Sequence, residues 1–538
     1  MSHFARAFQL LVLPAVVPGF LPSASAQVAH ADAVFGGSDP NQNGQFGSAL
    51  SLQGERMLVG AAQSNAVGVA GGAGYVFEQQ PDGSWVEVDH LLPAPDGNSR
   101  LGYSVALDGD RALLGGRASR EVYVFEQDAG AWPLVGCMTD AGLFSTDLFG
   151  SALDLEGDRA LIGNSANDDL GPTTGAAHVY ELQETGWTKV ADLYASEVEA
   201  GMDAGSAVSL SGSWAAVGAL DKGQAGGQSG AVYLFQRQLD GTWLELDAVS
   251  PPGGGAAGDF GRALSLEGDW LLVGAPADAT IATQAGKCFL YQRQPDDTWA
   301  LHQELLASDA GIRMRFGESV CLSGDRLSVG TLPPSGTGST VPGVAYVFER
   351  GGDGQWTERV RLRDPNAGAL QQGGFAVAVE GDLVISSALY GTDTDFAQGT
   401  CAAFELRPLM RGAHEVSLGS GGTQDWALDA GEAHAGEVFA LMGSASGSSP
   451  GVSLAPGITL PLNVDAYWSF TLTKLAANPL MGASIGLLDA NGRAASSFLV
   501  PAGALPPLVG LELQHAYALI SGAFFTFASN PVAVTLGV

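Results

Sequence analysis

The sequence predicts an all-β fold, a seven-bladed β-propeller with four-stranded blades followed by a C-terminal β-sandwich. Three observations lead to this prediction. One strand unit recurs seven times between about residues 46 and 406, each of the first six units contains four strand-like segments, and the repeat stops where the composition changes after Arg407-Pro408. A fixed period near 55 residues with four strands per unit is typical of propeller blades arranged around an axis.

A tight-turn glycine marks each copy, because glycine adopts positive φ at little cost. It follows a strand that begins with F-G or a variant, and it precedes a strand that ends in V-G-A or a variant. Successive turn glycines lie 55, 48, 55, 56, 56 and 57 residues apart. They are Gly54, Gly109, Gly157, Gly212, Gly268, Gly324 and Gly381.

An aromatic third strand and a tryptophan strand complete each of the first six copies. Each tryptophan holds the same place in its copy, so we interpret the set as packing groups and not as a sugar-stacking surface. The six are Trp85, Trp132, Trp187, Trp243, Trp299 and Trp356.

The seventh copy has no tryptophan strand, so its fourth strand must come from elsewhere. The stretch Val28–Asp32 precedes Phe46-Gly47 much as Val88–Leu91 precedes Leu101-Gly102. We therefore predict that this N-terminal strand completes the last blade and closes the ring, leaving no unpaired edge there.

The N-terminus predicts export. Residues 1–26 have the pattern of a signal peptide, with Arg6, an apolar run over residues 8–20 and the small residues Ala24-Ser25-Ala26 before Gln27. The apolar run is too short for a membrane-spanning helix, and no other segment predicts one. We expect a secreted or cell-surface protein, with the propeller over residues 27–408 and the second domain over residues 409–538.

The second domain reads as short strands separated by Gly, Pro and Ser turns, which predicts a sandwich. Asp489–Gly492 is a hairpin signal. The predicted strands include Glu415–Leu418, Val438–Leu441, Trp468–Leu472, Ser484–Leu488, Ala516–Ile520 and Val532–Leu536.

The chain is strongly acidic, with a formal net charge of −33. Such a field repels phosphate backbones, so nucleic acid is not an expected partner. It attracts cations or basic partners, although adaptation to a salty exterior explains it as well. The four cysteines, Cys137, Cys288, Cys321 and Cys401, show no metal or redox spacing, and we expect isolated, buried and inert thiols, with a Cys288–Cys321 bridge left open.

Strand direction predicts where a ligand would bind. With strands A to D in chain order, the short A–B and C–D turns share one end of the blades, and the long B–C and D–A loops share the other. Long loops on a rigid scaffold usually carry recognition, although a solvated acidic rim is the simpler alternative. The candidate binding residues are Asp168, Asp169, Asp278, Tyr390, Asp393 and Asp395. The same end carries Asp147, Asp203, Asp221, Asp259 and Asp309, with Arg117, Arg120, Arg313 and Arg315 as basic exceptions.

No catalytic residue or cofactor is predicted, because the sequence has no zinc-protease, nucleophile-elbow, phosphate-loop or dinucleotide motif. Asp39, Asn41 and Asn43, followed by Gly44, form a weak calcium candidate. Leu50 stands where a calcium loop would supply its bidentate carboxylate, so no metal is expected.

The F-G and V-G-A elements resemble those of FG-GAP repeat proteins, whose best-known members form the integrin α-chain head. Phe46-Gly47, Phe149-Gly150, Phe260-Gly261 and Phe316-Gly317 match the first half of the motif, and Val273–Pro276 matches the second. The resemblance implies a seven-bladed propeller that binds partners through its loop face.

The chain departs from the calcium-binding members of that family. Their D-x-[DN]-x-D-G-x-x-D loop is replaced by four residues such as Glu156–Arg159, too few to supply six to eight oxygen ligands. The C-terminal domain resembles sandwich modules appended to secreted proteins of environmental bacteria, which implies attachment or export.

These observations predict a non-enzymatic, monomeric binding or adhesion scaffold that recognises a protein or glycan at the cell surface. Two alternatives stay open. One is an extracellular enzyme that acts on a polysaccharide or small organic molecule through paired carboxylates on the loop face. The other is a structural component of the cell envelope.

Overall fold

The computed structural model describes most of the repeat region and the regular elements of the C-terminal region. The described residues are 27–30, 33–38, 44–66, 70–80, 84–92, 99–117, 119–140, 142–144, 147–222, 229–252, 258–332, 343–351, 354–363, 373–389, 399–406, 415–417, 422–429, 436–444, 452–455, 458–460, 462, 464, 466–473, 484–488, 493–500, 512–521, 524–528 and 532–537. The predicted signal peptide lies outside these residues.

Within the described part of the repeat region, two short strands precede seven antiparallel sheets. The short strands are β1 (Gln27–His30) and β2 (Ala33–Phe35). Sheets 1 to 3 contain β3 (Phe46–Gln53), β4 (Arg56–Ala61), β5 (Ala73–Gln79) and β6 (Trp85–Leu91); β7 (Leu101–Asp108), β8 (Arg111–Gly116), β9 (Val122–Glu126) and β10 (Leu134–Met138); and β11 (Phe149–Glu156), β12 (Arg159–Asn164), β13 (Ala176–Gln183) and β14 (Gly186–Leu193).

Sheets 4 to 7 follow the same plan, with strands A to D in chain order, except that sheet 7 takes its fourth strand from the N-terminus. They contain β15 (Ala204–Ser211), β16 (Trp214–Ala219), β17 (Ala231–Arg237) and β18 (Trp243–Val249); β19 (Leu264–Glu267), β20 (Trp270–Ala275), β21 (Lys287–Arg293) and β22 (Trp299–Leu305); β23 (Ser319–Ser323), β24 (Arg326–Gly330), β25 (Ala345–Arg350) and β26 (Trp356–Arg363); and β27 (Gly373–Glu380), β28 (Leu383–Ala388) and β29 (Thr400–Glu405).

The first strands of the seven sheets contact one another in sequence. Strand β3 contacts β7, each following A strand contacts the next, and β27 contacts β3 again. The hydrophobic core lies between neighbouring sheets, as in the cluster where Trp132 of the second repeat packs with Leu58 and Val76 of sheet 1. Another cluster joins Phe46 of sheet 1 to Ile385 of sheet 7. Each sheet therefore buries its apolar face against its neighbours.

Two glycines of the repeat explain its motif. The F-G glycine has positive φ, as in Gly102 at +79°, and its carbonyl oxygen faces the V-G glycine of the preceding sheet. A Cβ atom on Gly60 would lie 2.0 Å from that oxygen. The same approach recurs between Gly115 and Gly150, Gly163 and Gly205, Gly218 and Gly261, Gly274 and Gly317, and Gly330 and Gly374.

The A–B turns form a belt at the short-turn end. The turn glycine of one sheet donates its N–H to the side chain that precedes the turn glycine of the sheet before, as Gly212 does to Glu156 at 2.8 Å. Gly54 of sheet 1 donates in the same way to Glu380 of sheet 7 at 2.6 Å. The arginine after the turn adds a further link, since Arg111 donates to the carbonyl of Gly157 and pairs with Asp158 at 2.6 Å.

The N-terminal strand that completes sheet 7 is not the one we predicted. The predicted stretch was Val28–Asp32, but the strand that pairs with β29 is Ala33–Phe35. Gln27–His30 pairs instead with β26, as a fifth strand of sheet 6. Side-chain packing explains the difference, because the Phe35 ring lies 5.0 Å from Phe77 and 6.2 Å from Trp85 of sheet 1.

The chain divides into two compact units, and Ala29–Glu405 forms the unit that holds the seven sheets. The second unit contains Leu406–Val538. Its elements are β30 (Glu415–Ser417), β31 (Gly422–Asp429), β32 (Val438–Ser444), β33 (Val452–Ala455), β34 (Ile458–Leu460), α1 (Ala466–Thr473), β35 (Ile485–Leu487), β36 (Arg493–Val500), β37 (Glu512–Ser521), β38 (Phe524–Ala528) and β39 (Val532–Gly537).

The described strands of the second unit form one larger sheet and two strand pairs. The order in the larger sheet is β30-β39-β37-β32-β35, with β38 also paired to β37, and the pairs are β31-β36 and β33-β34. The predicted strand Trp468–Leu472 is wrong, since these residues lie in α1, where Thr471 Oγ1 accepts from the Gly443 N–H at 3.1 Å. A short apolar run does not distinguish a strand from a packed helix. The predicted hairpin turn Asp489–Gly492 lies outside the described residues.

Two further expectations concern cysteines and membranes. No disulfide joins the four cysteines, all of which lie in the described residues, so the possible Cys288–Cys321 bridge is not formed. Cys288 and Cys401 are buried and Cys321 is half-buried. The expectation of a buried thiol is wrong for Cys137, which is exposed because it lies on the exposed part of strand β10. In the described part of the chain, no helix combines the length and apolar character needed to cross a bilayer.

Candidate functional site at the long-loop end

Several of the described B–C loops at this end share one internally bonded form. The third residue after strand B accepts a hydrogen bond from the backbone N–H two residues later. Ser64 accepts from Ala66 at 3.2 Å, Asn167 from Asp169 at 3.1 Å, and Asp278 from Thr280 at 2.9 Å. Such bonds hold a loop in one shape, so the loops present their outer side chains from a fixed base.

The predicted binding residues have different surroundings. Asp278 is 2% exposed, and its carboxylate also accepts from the Thr280 hydroxyl at 2.5 Å, so it shapes its own loop. Asp168 and Asp169 are exposed on one loop of sheet 3, where Asp169 accepts from the Tyr194 hydroxyl at 2.8 Å. The others, Tyr390, Asp393 and Asp395, and the calcium candidates Asp39, Asn41 and Asn43, lie outside the described residues.

A second group of polar residues comes together at this end, close to where the A strands meet. These residues stand just before or within the start of a strand A, or just after a strand B. Because the A strands contact one another in sequence, their starting residues are near the centre of the sheet array. We call this group the axial cluster: Tyr103, Arg117, Asp203, Asp221, Asp259, Arg262, Arg315 and Glu318.

Two guanidinium groups of the axial cluster share one buried carboxylate. Glu318, whose side chain is 4% exposed, pairs with Arg262 at 3.1 Å and with Arg315 at 2.8 Å. Arg315 also reaches Asp259 at 3.4 Å. Residues of sheets 5 and 6 are thereby held in one ionic network, and such charge-assisted bonds fix side-chain positions.

A carboxyl pair lies beside this network. Asp203 and Asp221 share a hydrogen bond, and burial together with the nearby Asp221 raises the pKa of Asp203 to about 6. Burial and the charge of Asp259 also raise the pKa of Asp221. Arg117, which stacks 5.5 Å over the Tyr103 ring, acts on Asp203 in the opposite direction. Near neutral pH the pair can therefore both accept hydrogen bonds and exchange a proton.

Sequence reasoning found part of this cluster. It placed Asp203, Asp221 and Asp259 at the long-loop end but did not bring them together. It missed Tyr103, Arg262 and Glu318, which share a signal that was available: each directly follows an F-G-type glycine, at Gly102, Gly261 and Gly317.

Exposed apolar side chains surround the same end. They lie on B–C and D–A loops of the repeat region, between sheets 2 and 6, where ordinary loops would carry polar residues. Large exposed apolar groups clustered at one end of a protein commonly mark an interaction surface. The apolar rim consists of Phe144 at 58% exposure, Leu170 at 51%, Val198 at 41%, Ile281 at 57% and Ile312 at 72%.

One further group of ionisable residues has metal-like spacing. Asp140, His178 and Asp192 offer ligand atoms within 4.8 Å of one another, the sole such group among the described residues. However, the Lys189 ammonium contacts Asp140 at 2.5 Å and Asp192 at 3.0 Å, so a cation already occupies the space between the carboxylates. The hydrogen bond from His178 lowers the pKa of Asp192 to about 2. This group is an ion-pair network and not a metal site.

The FG-GAP repeat family matches the chain at residues 132–180, 187–235 and 299–348. Each match runs from a repeated tryptophan into the third strand of the next sheet, and so includes the F-G glycine and the V-G glycine of one sheet. The chain contains an FG-GAP repeat β-propeller. This confirms the predicted family, in a form whose A–B turns are too short for the calcium loop.

Solved structures with a similar course of the chain are distant. The Kuenenia stuttgartiensis hydrazine synthase is 11% identical with a TM-score of 0.44, covering 68% of this chain and 97% of that chain. A putative 6-phosphogluconolactonase from Bacteroides fragilis is 15% identical with a TM-score of 0.40, covering 64% and 88%. The β-propeller domain of the Trilobed protease from Pyrococcus furiosus is 9% identical with a TM-score of 0.38, covering 67% and 96%. No curated protein matches the chain.

Proposed function

We propose that this chain is a secreted or cell-surface binding scaffold, non-enzymatic, built on a seven-bladed FG-GAP propeller. The observation that supports this most strongly is the coincidence, at the long-loop end, of the axial cluster with the apolar rim. Internally bonded B–C loops carry two residues of the rim, Leu170 and Ile281. Partner recognition at the other end has less support, because the short turns there are engaged in the belt between sheets.

The partner that fits this surface is a protein or glycan with cationic or hydroxyl groups near apolar patches. The rim supplies apolar contacts, and acidic residues such as Asp168, Glu197 and Glu199 lie between its members. A chain of net charge −33 also attracts basic partners from a distance. The second unit, which we propose to be a sandwich-like module, would serve attachment or export.

The test is binding of the purified chain to cell-surface preparations and to a glycan array. The double variant Phe144→Ser with Ile312→Ser removes two apolar rim contacts and should weaken binding about tenfold or more. The control is Leu239→Ser, a fully exposed leucine in a C–D turn at the other end, which should bind like the native chain. Equal loss in both variants, or in neither, would exclude the long-loop end as the binding surface.

An enzymatic alternative has one observation in its favour. The carboxyl pair Asp203 and Asp221, with a pKa near 6 at Asp203, has the properties of an acid and base acting near neutral pH. If the chain hydrolyses a polysaccharide, Asp203→Asn should abolish turnover while leaving the rim-dependent binding unchanged. Turnover that survives this substitution would remove the alternative.

A further inference from the structure

Sheet 3 carries a buried carboxylate and a buried amide at two positions of the long-loop end where sheet 4 has apolar residues. Asn164 ends strand B, where Ala61, Ala219 and Ala275 stand in sheets 1, 4 and 5. Asp147 stands two residues before strand A, where sheet 4 has Met202. Asn164 is 0% exposed and Asp147 is 3% exposed, so two polar side chains replace small or apolar ones in the interior.

In each of these two side chains, one polar atom has a hydrogen-bond partner and the other has none among the described residues. Asn164 Oδ1 accepts from the Leu148 N–H at 3.1 Å, which fixes the amide orientation and points Nδ2 away from Leu148. Asp147 Oδ2 accepts from the Phe144 N–H at 3.0 Å. Asn164 Nδ2 and Asp147 Oδ1 have no partner among the residues that the structure describes, and both atoms are buried.

A third unpartnered atom belongs to the same turn. Ser151 Oγ is buried without a hydrogen bond in the described structure, and the Ser151 N–H donates to the Leu148 carbonyl at 3.0 Å. Leu148 thus lies beside all three residues: it follows Asp147, donates its N–H to the Asn164 side chain and accepts from the Ser151 backbone N–H. Buried donors and acceptors are normally paired, so these three atoms, which belong to residues around one turn, are available to bind a small polar group.

A group that binds both side chains must donate a hydrogen bond to the Asp147 carboxylate and accept one from the Asn164 amide. An ammonium group has no acceptor, an anion has no donor and is repelled by Asp147, and a metal ion cannot accept from an N–H. A hydroxyl oxygen does both. We propose that Asp147, Ser151 and Asn164 form a buried site for one hydroxyl group, supplied by an ordered water or by a carbohydrate hydroxyl.

The two sources of the hydroxyl have different consequences. A water would complete the structure of the long-loop end of sheet 3. A carbohydrate hydroxyl would make this site a contact for a glycan bound beside the exposed Phe144, and that version rests on the proposed function. The water version does not depend on it.

High-resolution crystal structures test the proposal, one from crystals free of polyols and one from crystals soaked in glucose. We expect a single oxygen within hydrogen-bonding distance, roughly 2.7–3.2 Å, of both Asp147 Oδ1 and Asn164 Nδ2. An isolated oxygen in both crystals identifies water, and replacement by a glucose hydroxyl identifies the carbohydrate. A site closed by protein groups, or one occupied by a metal ion or chloride, would overturn the proposal.

A matched variant provides the control. Asp147→Met with Asn164→Ala gives sheet 3 the residues that sheet 4 carries, Met202 and Ala219. This variant should fold and should lose the bound hydroxyl oxygen. Ser151→Ala removes one contact and should keep the oxygen. An oxygen that persists in the double variant would contradict the assignment. Because these structures are determined without a partner, their outcome is independent of the binding assay with the rim variants.

Discussion

The carbonyl oxygen of Gly102 approaches Gly60 so closely that a Cβ atom on Gly60 would lie 2.0 Å from it. Real Cβ atoms do not approach a backbone oxygen to that distance, so the two sheets can pack this closely only with glycine at this place. The F-G glycine of one copy and the V-G glycine of the copy before it therefore form one inter-sheet contact.

Gly60→Ala should consequently destabilise the propeller by about 3 kcal/mol or more, because backbone on both sides must move. The matched control is Gly54→Ala in the A–B turn, where an added Cβ would meet nothing within 4 Å. That variant should lose only about 1–2 kcal/mol, from the positive φ of +59°. Chemical denaturation of both variants checks the difference, and equal losses would show that the close approach is absent.

Asp154 should make stability depend on pH. It lies on strand A of sheet 3, where its carboxylate accepts from the Leu210 N–H at 2.7 Å, and burial raises its pKa to about 6. The folded state then holds the proton more tightly than the unfolded chain. The stabilisation is complete below about pH 4 and is lost as the pH rises through about 6.

Asp154→Asn removes the charge and keeps an acceptor for the Leu210 N–H, but the Leu155 N–H, which donates to the other carboxylate oxygen at 2.8 Å, loses its acceptor. We expect the stability of the variant relative to the native chain to rise by at most about 3 kcal/mol as the pH rises from 4 to 8. Unfolding curves at several pH values between 4 and 8 measure the difference. A constant difference across this range would contradict the raised pKa.

The buried carboxylate of Glu318, which two arginines share, should contribute more to folding stability than an exposed carboxylate in a single ion pair. Glu318→Gln removes the negative charge that Arg262 and Arg315 share and leaves one acceptor oxygen for two guanidinium groups, so we expect a loss of about 2 kcal/mol. Asp269→Asn is the control, because Asp269 pairs with Arg293 but is 56% exposed, and it should cost less than about 0.5 kcal/mol. Thermal unfolding at low and high salt compares the two, and a Glu318 variant as stable as the control would show that the network does not hold sheets 5 and 6 together.

The sequence predicted the strand order and the two ends of the propeller well, because period, turn glycines and aromatic strands are local signals. It did not predict which N-terminal residues pair with β29, since that choice depends on Phe35 packing against Phe77 and Trp85 from a distant sheet. It also misjudged Trp468–Leu472, an apolar run with no distinguishing period. Asp168 and Asp169 could be predicted as exposed loop residues because they lie on one loop. The ion pair of Arg262 with Glu318 could not be predicted, because it joins two sheets and depends on which sheets are neighbours.

Ala33–Phe35 pairs with β29 of sheet 7 and packs against sheet 1, so removing that strand tests the closure of the ring of sheets most directly. A chain that starts at residue 36 lacks both N-terminal strands, whereas one that starts at residue 32 lacks only β1. We expect the chain from residue 36 to unfold at a clearly lower temperature than the chain from residue 32, with the latter close to the native chain. Equal unfolding temperatures for the two truncated chains would contradict the closure.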